Sequence, residues 1–195
     1  MGKKRWDYEL PELALLQKEL KRERYRRRFR RLLRSTVNAL IVVAAIAALI
    51  ATLVLPVLQI AGTSMEPSLK DGDIVLLVKT DNLETGDLCA FYYSNKILIK
   101  RIIGTPSDYL WINPDGTVYL NSEELIEPYV SEKALGECDV EFPYQVPENN
   151  YFMMGDHRET SIDSRSSVIS CIAEDQIIGK ILCKVWPLSE FAWMG

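Results

Sequence analysis

Ala39-Leu40-Ile41-Val42-Val43-Ala44-Ala45-Ile46-Ala47-Ala48-Leu49-Ile50-Ala51 is apolar without exception, and no charged residue occurs from Ala39 to Val57. Wound as a helix, those residues span about 29 Å, close to the roughly 30 Å hydrocarbon thickness of a bilayer. Thr52 and Pro56 fall near the end of the run, where a hydroxyl and a helix-stopping ring are tolerated. The stretch predicts one transmembrane helix over residues 36–58. A cleaved leader fits poorly, because its charged region would be short and its apolar core about 7 to 15 residues.

On the N-terminal side the composition turns basic. Thirteen of the 23 Lys and Arg, but only five of the 27 Asp and Glu, fall within residues 1–35, so that segment carries +8 and the remainder −12 beneath an overall charge of −4. Arg22, Arg24, Arg26, Arg27, Arg28, Arg30, Arg31 and Arg34 crowd the flank of the apolar run. The positive-inside rule holds such a flank in the cytoplasm and sends the acidic C-terminal portion outside. No nucleic-acid-binding fold accompanies the basic stretch, so nucleic acid is not an expected partner, whereas anionic lipid is. Leu13, Leu16 and Leu20 recur at helical spacing and Glu23 precedes Arg27 by four, predicting a helix over 11–34 within a cytoplasmic segment, 1–35, that lies on or rises from the membrane.

On the C-terminal side the pattern changes to short β-rich runs between turn signals. Asp73–Lys79, Asp87–Tyr93, Lys96–Ile103, Tyr109–Ile112, Thr117–Leu120, Tyr151–Met154 and Gln176–Trp186 read as strands, and Asn113-Pro114-Asp115-Gly116 as a hairpin turn. Residues 122–150, with Pro128, Gly136, Pro143 and Pro147 and no clear period, read as a loop-rich excursion. The expected fold is mostly β: an antiparallel domain over 59–195, anchored by one N-terminal transmembrane helix. Cys89, Cys138, Cys171 and Cys183 lack CxxC spacing or a nearby histidine, so no metal site is expected. Cys89 and Cys183 sit in apolar strand contexts that favour buried free thiols, and the sequence leaves disulfide pairing open.

Three clusters carry chemistry. In Gly62-Thr63-Ser64-Met65-Glu66-Pro67-Ser68-Leu69, Gly62 allows a tight backbone approach and Pro67 fixes the turn after Ser64, whose neighbouring amides could stabilise an oxyanion. In Lys96-Ile97-Leu98-Ile99-Lys100-Arg101-Ile102-Ile103, a period of two puts Leu98 and Ile102 beside Lys100 on one face. A lysine so desolvated can serve as the base that a serine nucleophile requires. Arg101, on the other face, needs a carboxylate. The third cluster, Gly155-Asp156-His157-Arg158-Glu159-Thr160-Ser161-Ile162-Asp163-Ser164-Arg165, is dense in hydrogen-bonding groups. Asp156 is a partner for Arg101, Asp163 for Arg165, and the Ser161 hydroxyl can orient the Lys100 amine.

These separated motifs resemble, in order, those of type I signal peptidases, the membrane-bound Ser/Lys endopeptidases that remove signal peptides from exported proteins. Ser64-Met65-Glu66-Pro67 resembles the nucleophile box, Asp71-Gly72-Asp73 the segment after it, Lys100-Arg101-Ile102-Ile103-Gly104 the general-base box, and Gly155 to Arg165 the family's Gly-Asp-Asn-Arg-x-x-Ser-x-Asp-Ser-Arg box. The resemblance covers about residues 36–187 and implies Ser64 as nucleophile, Lys100 as general base, Ser161 as the lysine-orienting hydroxyl and the Ser64 N–H in the oxyanion hole. Gly62, Met65, Arg101, Asp156, Asp163 and Arg165 are then supporting residues. It implies no cofactor, with preprotein signal peptides, the lipid bilayer and the secretion translocon as partners. Three positions depart from the pattern: His157 where asparagine is usual, Gly62 where some members carry a hydroxyl residue, and Ser107 where glycine is usual.

The rival readings are a specialised pilin- or surface-protein-processing peptidase of the same chemistry, a Ser/His/Asp hydrolase built on His157, and an inactive membrane-anchored scaffold. The hydrolase lacks a nucleophile elbow. Intact Ser64 and Lys100 weigh against the scaffold.

Overall fold

The structure, a computed structural model, describes residues 13–54 and 56–194, and the side chains of residues 17–49 and 56–194. Two units part between Ala51 and Thr52. The first is built on a single helix, α1 (Leu13–Val54), about 63 Å long at 1.5 Å per residue. The two helical segments expected on either side of residue 35 are one continuous helix, because no proline or glycine interrupts residues 12–55. The Thr36 hydroxyl donates to the Leu32 carbonyl (3.0 Å), inside the helix. Glu23 and Arg27 pair at 3.0 Å on the exposed surface, an i,i+4 contact worth a few tenths of a kcal/mol. Within it, Gln17–Leu49 contains a window apolar and long enough to cross a membrane, with none of that window buried.

The helix expected to reach residue 58 stops at Val54. Pro56 lacks the N–H that would continue it, and Val57 and Leu58 enter a strand instead. The second unit contains twelve described strands: β1 (Val57–Gln59), β2 (Ile74–Val78), β3 (Leu88–Tyr93), β4 (Lys96–Gly104), β5 (Tyr109–Ile112), β6 (Val118–Leu120), β7 (Glu123–Glu124), β8 (Tyr144–Gln145), β9 (Asn150–Met154), β10 (Ile172–Ala173), β11 (Ile177–Trp186) and β12 (Ala192–Trp193). One sheet has the order β1-β2-β11-β3-β4-β9-β10, with β12 also on β11; a smaller one has the order β7-β6-β5-β8. Every pairing is antiparallel, as expected for the fold class. The seven predicted strands are present with ends shifted by at most a residue, while β1, β7, β8, β10 and β12 are too short to leave a period in the sequence. Two of these, β7 and β8, lie in the excursion read as loop.

Alternation along the strands builds three apolar clusters. Ile60, Met65, Leu69, Val75, Leu77, Leu88, Ala90 and Ile181 pack beneath the turn that carries Ser64. Cys89, Phe91, Ile102, Tyr151 and Met153 fill a second, with Leu98 against it, so the two side chains expected to flank Lys100 do belong to one apolar layer. Ile103, Leu110, Ile112, Val118, Phe152 and Met154 join the two sheets in a third. The β5–β6 turn closes through Gly116 N–H to Asn113 O (2.9 Å), and Gly116, at φ 85°, leaves no room for a side chain against the Ala134 backbone. Ser107 occupies left-handed backbone at φ 73°, which explains glycine as the usual residue there; its hydroxyl donates to Glu148 Oε1 (2.8 Å). All four cysteines are free thiols, Cys89 and Cys183 buried.

Candidate active site

Ser64 sits in a compact turn between β1 and β2. Glu66 N–H donates to Thr63 O (3.0 Å) and Leu69 N–H to Met65 O (2.9 Å), while buried Met65 and Leu69 root the turn in the first core cluster. The Asp71-Gly72-Asp73 segment fastens its ends: Gly62 N–H donates to Asp71 Oδ1 (2.7 Å), Lys70 N–H to Asp73 Oδ2 (2.9 Å), and Gly72 N–H to Ile60 O (3.0 Å). Buried Lys184 on β11 pairs with Asp73 at 3.1 Å and anchors that segment to the sheet. Gly62 is at φ 94°, with open space where a side chain would stand. Its amide is committed to Asp71, whereas no hydrogen bond among the described residues engages the Ser64 N–H.

Lys100 reaches this turn from the middle of β4. Its Nζ is 2.9 Å from Ser64 Oγ and 2.9 Å from Ser161 Oγ, and the residue is 4% exposed. Burial brings its pKa down from 10.5 to about 8; Asp163 opposes the fall, Arg165 adds to it and Asp156 opposes it. The Ser161 hydroxyl donates to Asp163 Oδ2 (2.7 Å). That proton is therefore spoken for, and toward Lys100 the Ser161 oxygen accepts an amine N–H. With the lysine neutral, this arrangement can turn its lone pair toward the Ser64 hydroxyl.

Asp163 is held anionic beside it. Burial alone would raise its pKa, but Arg165, through Nε to Oδ1 (2.8 Å) and Nη2 to Oδ2 (2.8 Å), the Gly155 N–H (2.9 Å) and the Ser161 hydroxyl outweigh burial and lower it. On the opposite face of β4, Arg101 makes a two-pronged pair with Asp156 (Nε to Oδ1 2.8 Å, Nη2 to Oδ2 2.6 Å) and donates to Gly86 O (2.8 Å) and Ser68 Oγ (3.1 Å). Ser68 belongs to the Ser64 turn, so Arg101 ties the lysine strand to the serine turn. Gly155 lies at the centre: a methyl group there would meet the Ser161 side chain and come within 2.6 Å of the Ser64 carbonyl oxygen.

The pairs anticipated for Arg101 with Asp156 and Arg165 with Asp163 are thus present, as is the approach of Ser161 to Lys100. The His157 side chain stands apart from the Ser64, Lys100 and Ser161 contacts. Its ring Nδ1 is 2.9 Å from Thr160 Oγ1, and its contact with the serine is through its backbone N–H to Ser64 O (3.1 Å). Sequence reading missed Glu127 and Tyr129. Glu127 receives both terminal nitrogens of buried Arg158, and the Tyr129 ring lies 3.8 Å from the Arg101 Cζ. The available signal was a charge count: Arg101, Arg158 and Arg165 had only Asp156 and Asp163 assigned between them.

A cleft of about 120 Å³ opens beside the Ser64 and Lys100 side chains, between Leu58–Gly62 on one side and Ile97–Lys100 on the other. Among the described residues β1 pairs only with β2, and β9 covers β4 only from Arg101 to Gly104, so both walls present strand edges not paired within the sheet. A larger cleft of about 570 Å³, lined by Lys79–Asp81 and Ala173–Asp175 among others, contains neither Ser64 nor Lys100 and has no comparable chemistry. Among the described residues no group of three or more His, Cys, Asp or Glu side chains could hold a metal ion.

Comparison with known proteins agrees on one family. A sequence model of the family described as "Signal peptidase, peptidase S26" matches residues 33–186. Signal peptidase IB of Staphylococcus aureus is 36% identical over 154 residues, 69% of this chain and 79% of that protein. Signal peptidase I T of Bacillus subtilis is 36% identical over 144 residues, 67% of this chain and 74% of the relative. The crystal structure of a signal peptidase I from Enterococcus faecalis aligns over 51% of this chain and 97% of its own, at 25% identity and a TM-score of 0.42. With its antiparallel β fold and its N-terminal apolar helix, the chain belongs to the signal peptidase family, peptidase S26, and is a serine endopeptidase.

Proposed function

We propose that this chain removes signal peptides from exported preproteins with a Ser64/Lys100 dyad, while α1 anchors it in the membrane with the N-terminus cytoplasmic and the β domain outside. The observation that carries the reading is the amine of Lys100 lying 2.9 Å from both hydroxyls, one of which, on Ser161, donates its hydrogen bond to Asp163. An extended preprotein segment adds between the edges of β1 and β4, bringing its scissile carbonyl to Ser64. Neutral Lys100 takes the Ser64 proton as Oγ bonds to the carbonyl carbon, and the Ser64 N–H donates to the developing oxyanion. The resulting ammonium gives that proton to the leaving amine, which departs as the C–N bond breaks. Lys100, neutral again, deprotonates the water that hydrolyses the acyl ester and returns Ser64. Arg101, Asp156, Asp163 and Arg165 hold this arrangement and take no proton themselves.

Lipid on both faces of the bilayer and the secretion translocon are the partners this topology brings within reach. The decisive experiment is cleavage of a purified preprotein by the full-length chain in detergent, compared with Ser64→Ala and Lys100→Ala. Both variants are expected to be folded and inactive. Product formed by either at the wild-type rate would refute the dyad.

A further inference from the structure

Three arginines lie buried behind the dyad, and each meets one carboxylate: Arg101 with Asp156, Arg165 with Asp163, Arg158 with Glu127. Two of those carboxylates come from the Gly155–Arg165 segment. The third comes from the excursion between β7 and β8, and its side chain is as buried as theirs, at 0% exposure against 1% for Arg158. Glu127 accepts from Arg158 Nη1 (3.0 Å) and Nη2, and from the Tyr129 hydroxyl (3.0 Å). Val130 N–H donates to Glu127 O (3.1 Å), closing a turn around Pro128 that lays the Tyr129 ring over the Arg101 guanidinium. Three consecutive residues therefore grip two of the three arginines.

We propose that Glu127-Pro128-Tyr129 is a clamp that sets the separation of Lys100 from Ser64 and Ser161, with Glu127 and Tyr129 as positioning residues; this rests on the dyad reading above. The path runs through two named contacts. Arg158 Nε donates to the Gly155 carbonyl (3.1 Å), and Gly155 is the residue whose backbone abuts both the Ser161 side chain and the Ser64 carbonyl while its N–H binds Asp163. Arg101 directly follows Lys100 on β4, so the ring stacked on its guanidinium limits how far that part of the strand can shift. Among the described residues neither Glu127 nor Tyr129 lines the cleft or hydrogen-bonds Ser64 or Lys100, so their loss acts on geometry rather than on substrate contact. A displacement of about 1 Å at a reacting pair can cost roughly 100-fold in rate.

The test is steady-state cleavage of a preprotein by the full-length chain in detergent, at a temperature where circular dichroism reports each variant folded. Tyr129→Leu, which removes the ring over Arg101, is expected to lower kcat about tenfold with KM within about twofold, and Tyr129→Phe, which keeps the ring, to restore most of it. Glu127→Asp, which keeps the charge but withdraws it from Arg158, is expected to lower kcat in the same way. Unchanged kcat in both Tyr129→Leu and Glu127→Asp, or a rise in KM with kcat unchanged, overturns the clamp. Lys100→Ala is run alongside: its inactivity beside a wild-type Tyr129→Leu sinks the clamp alone, whereas an active Lys100→Ala sinks the dyad.

Discussion

Ser161 Oγ stands 2.9 Å from Lys100 Nζ with its own proton committed to Asp163 Oδ2, so it can only accept from the amine. Ser161→Ala removes that acceptor and frees the lysine to rotate its lone pair away from Ser64. The expected loss in kcat/KM is about 100-fold, falling on kcat more than on KM, since no substrate contact is removed. Activity within twofold of wild type would show that Lys100 needs no orienting hydroxyl.

Burial of Lys100 also predicts a pH signature for the proposed base. With its pKa brought down to about 8, kcat/KM is expected to rise through an apparent pKa near that value and to fall away on the acid side, where the amine is charged. Stability follows the same group. Between about 8 and 10.5 the folded chain binds fewer protons than the unfolded one, so this contribution is lowest below pH 8 and recovers as pH rises toward 10.5. Charging the buried amine costs about 3 kcal/mol. Lys100→Met, inactive, should therefore gain thermal stability relative to wild type at pH 7 and lose that advantage near pH 10. A stability difference independent of pH would remove Lys100 titration from the account.

Gly155→Ala tests the central contact. The added methyl meets the Ser161 side chain and the Ser64 carbonyl oxygen, and the latter is backbone that cannot swing aside. Overpacking of this kind costs about 1–3 kcal/mol, and here it also separates the lysine-orienting hydroxyl from its neighbours. Cleavage is expected to drop by two orders of magnitude or more. A folded Gly155→Ala of wild-type activity would mean that the Ser64 turn can move without penalty.

Much of this site was legible before the fold. Alternation in Lys96–Ile103 predicted that Leu98 and Ile102 share a face with Lys100, and strand register then leaves Arg101 pointing the other way, toward Asp156. Turn chemistry located Ser64 and Asn113–Gly116 because local backbone needs determine those residues. Glu127 and Tyr129 were invisible because their partners, Arg158 and Arg101, are about thirty residues away in sequence, and nothing periodic marks a loop that folds back on a core. Strands of two or three residues, such as β7 and β12, exist only through pairing with longer neighbours. The continuous helix also escaped prediction: a change from charged to apolar side chains alters the solvent a helix prefers, not its backbone.

Orientation in the membrane is the next test. The +8 segment before the uncharged run predicts that the N-terminus stays in the cytoplasm. Protease added outside spheroplasts is expected to digest the β domain and spare an epitope at the N-terminus. The reverse pattern would place the Ser64 cleft on the cytoplasmic side, away from exported substrates.

The last prediction concerns what enters the cleft. An extended peptide lying between the edges of β1 and β4 sends its first and third residues before the scissile bond to the same side, because side chains alternate along a strand. The space there is about 120 Å³, walled by Leu58, Ile60, Met65, Leu98 and Ile99. A methyl group is expected to lie against those walls beside the peptide backbone, and an aromatic ring to crowd them and force the scissile carbonyl away from Ser64. Alanine at those two positions should therefore be cleaved, and phenylalanine at either should cost roughly 100-fold in kcat/KM, given the sensitivity of rate to displacements of about 1 Å. A preprotein series with alanine or phenylalanine at each position measures this directly. Equal cleavage across the series would mean that the cleft beside Ser64 does not read the substrate.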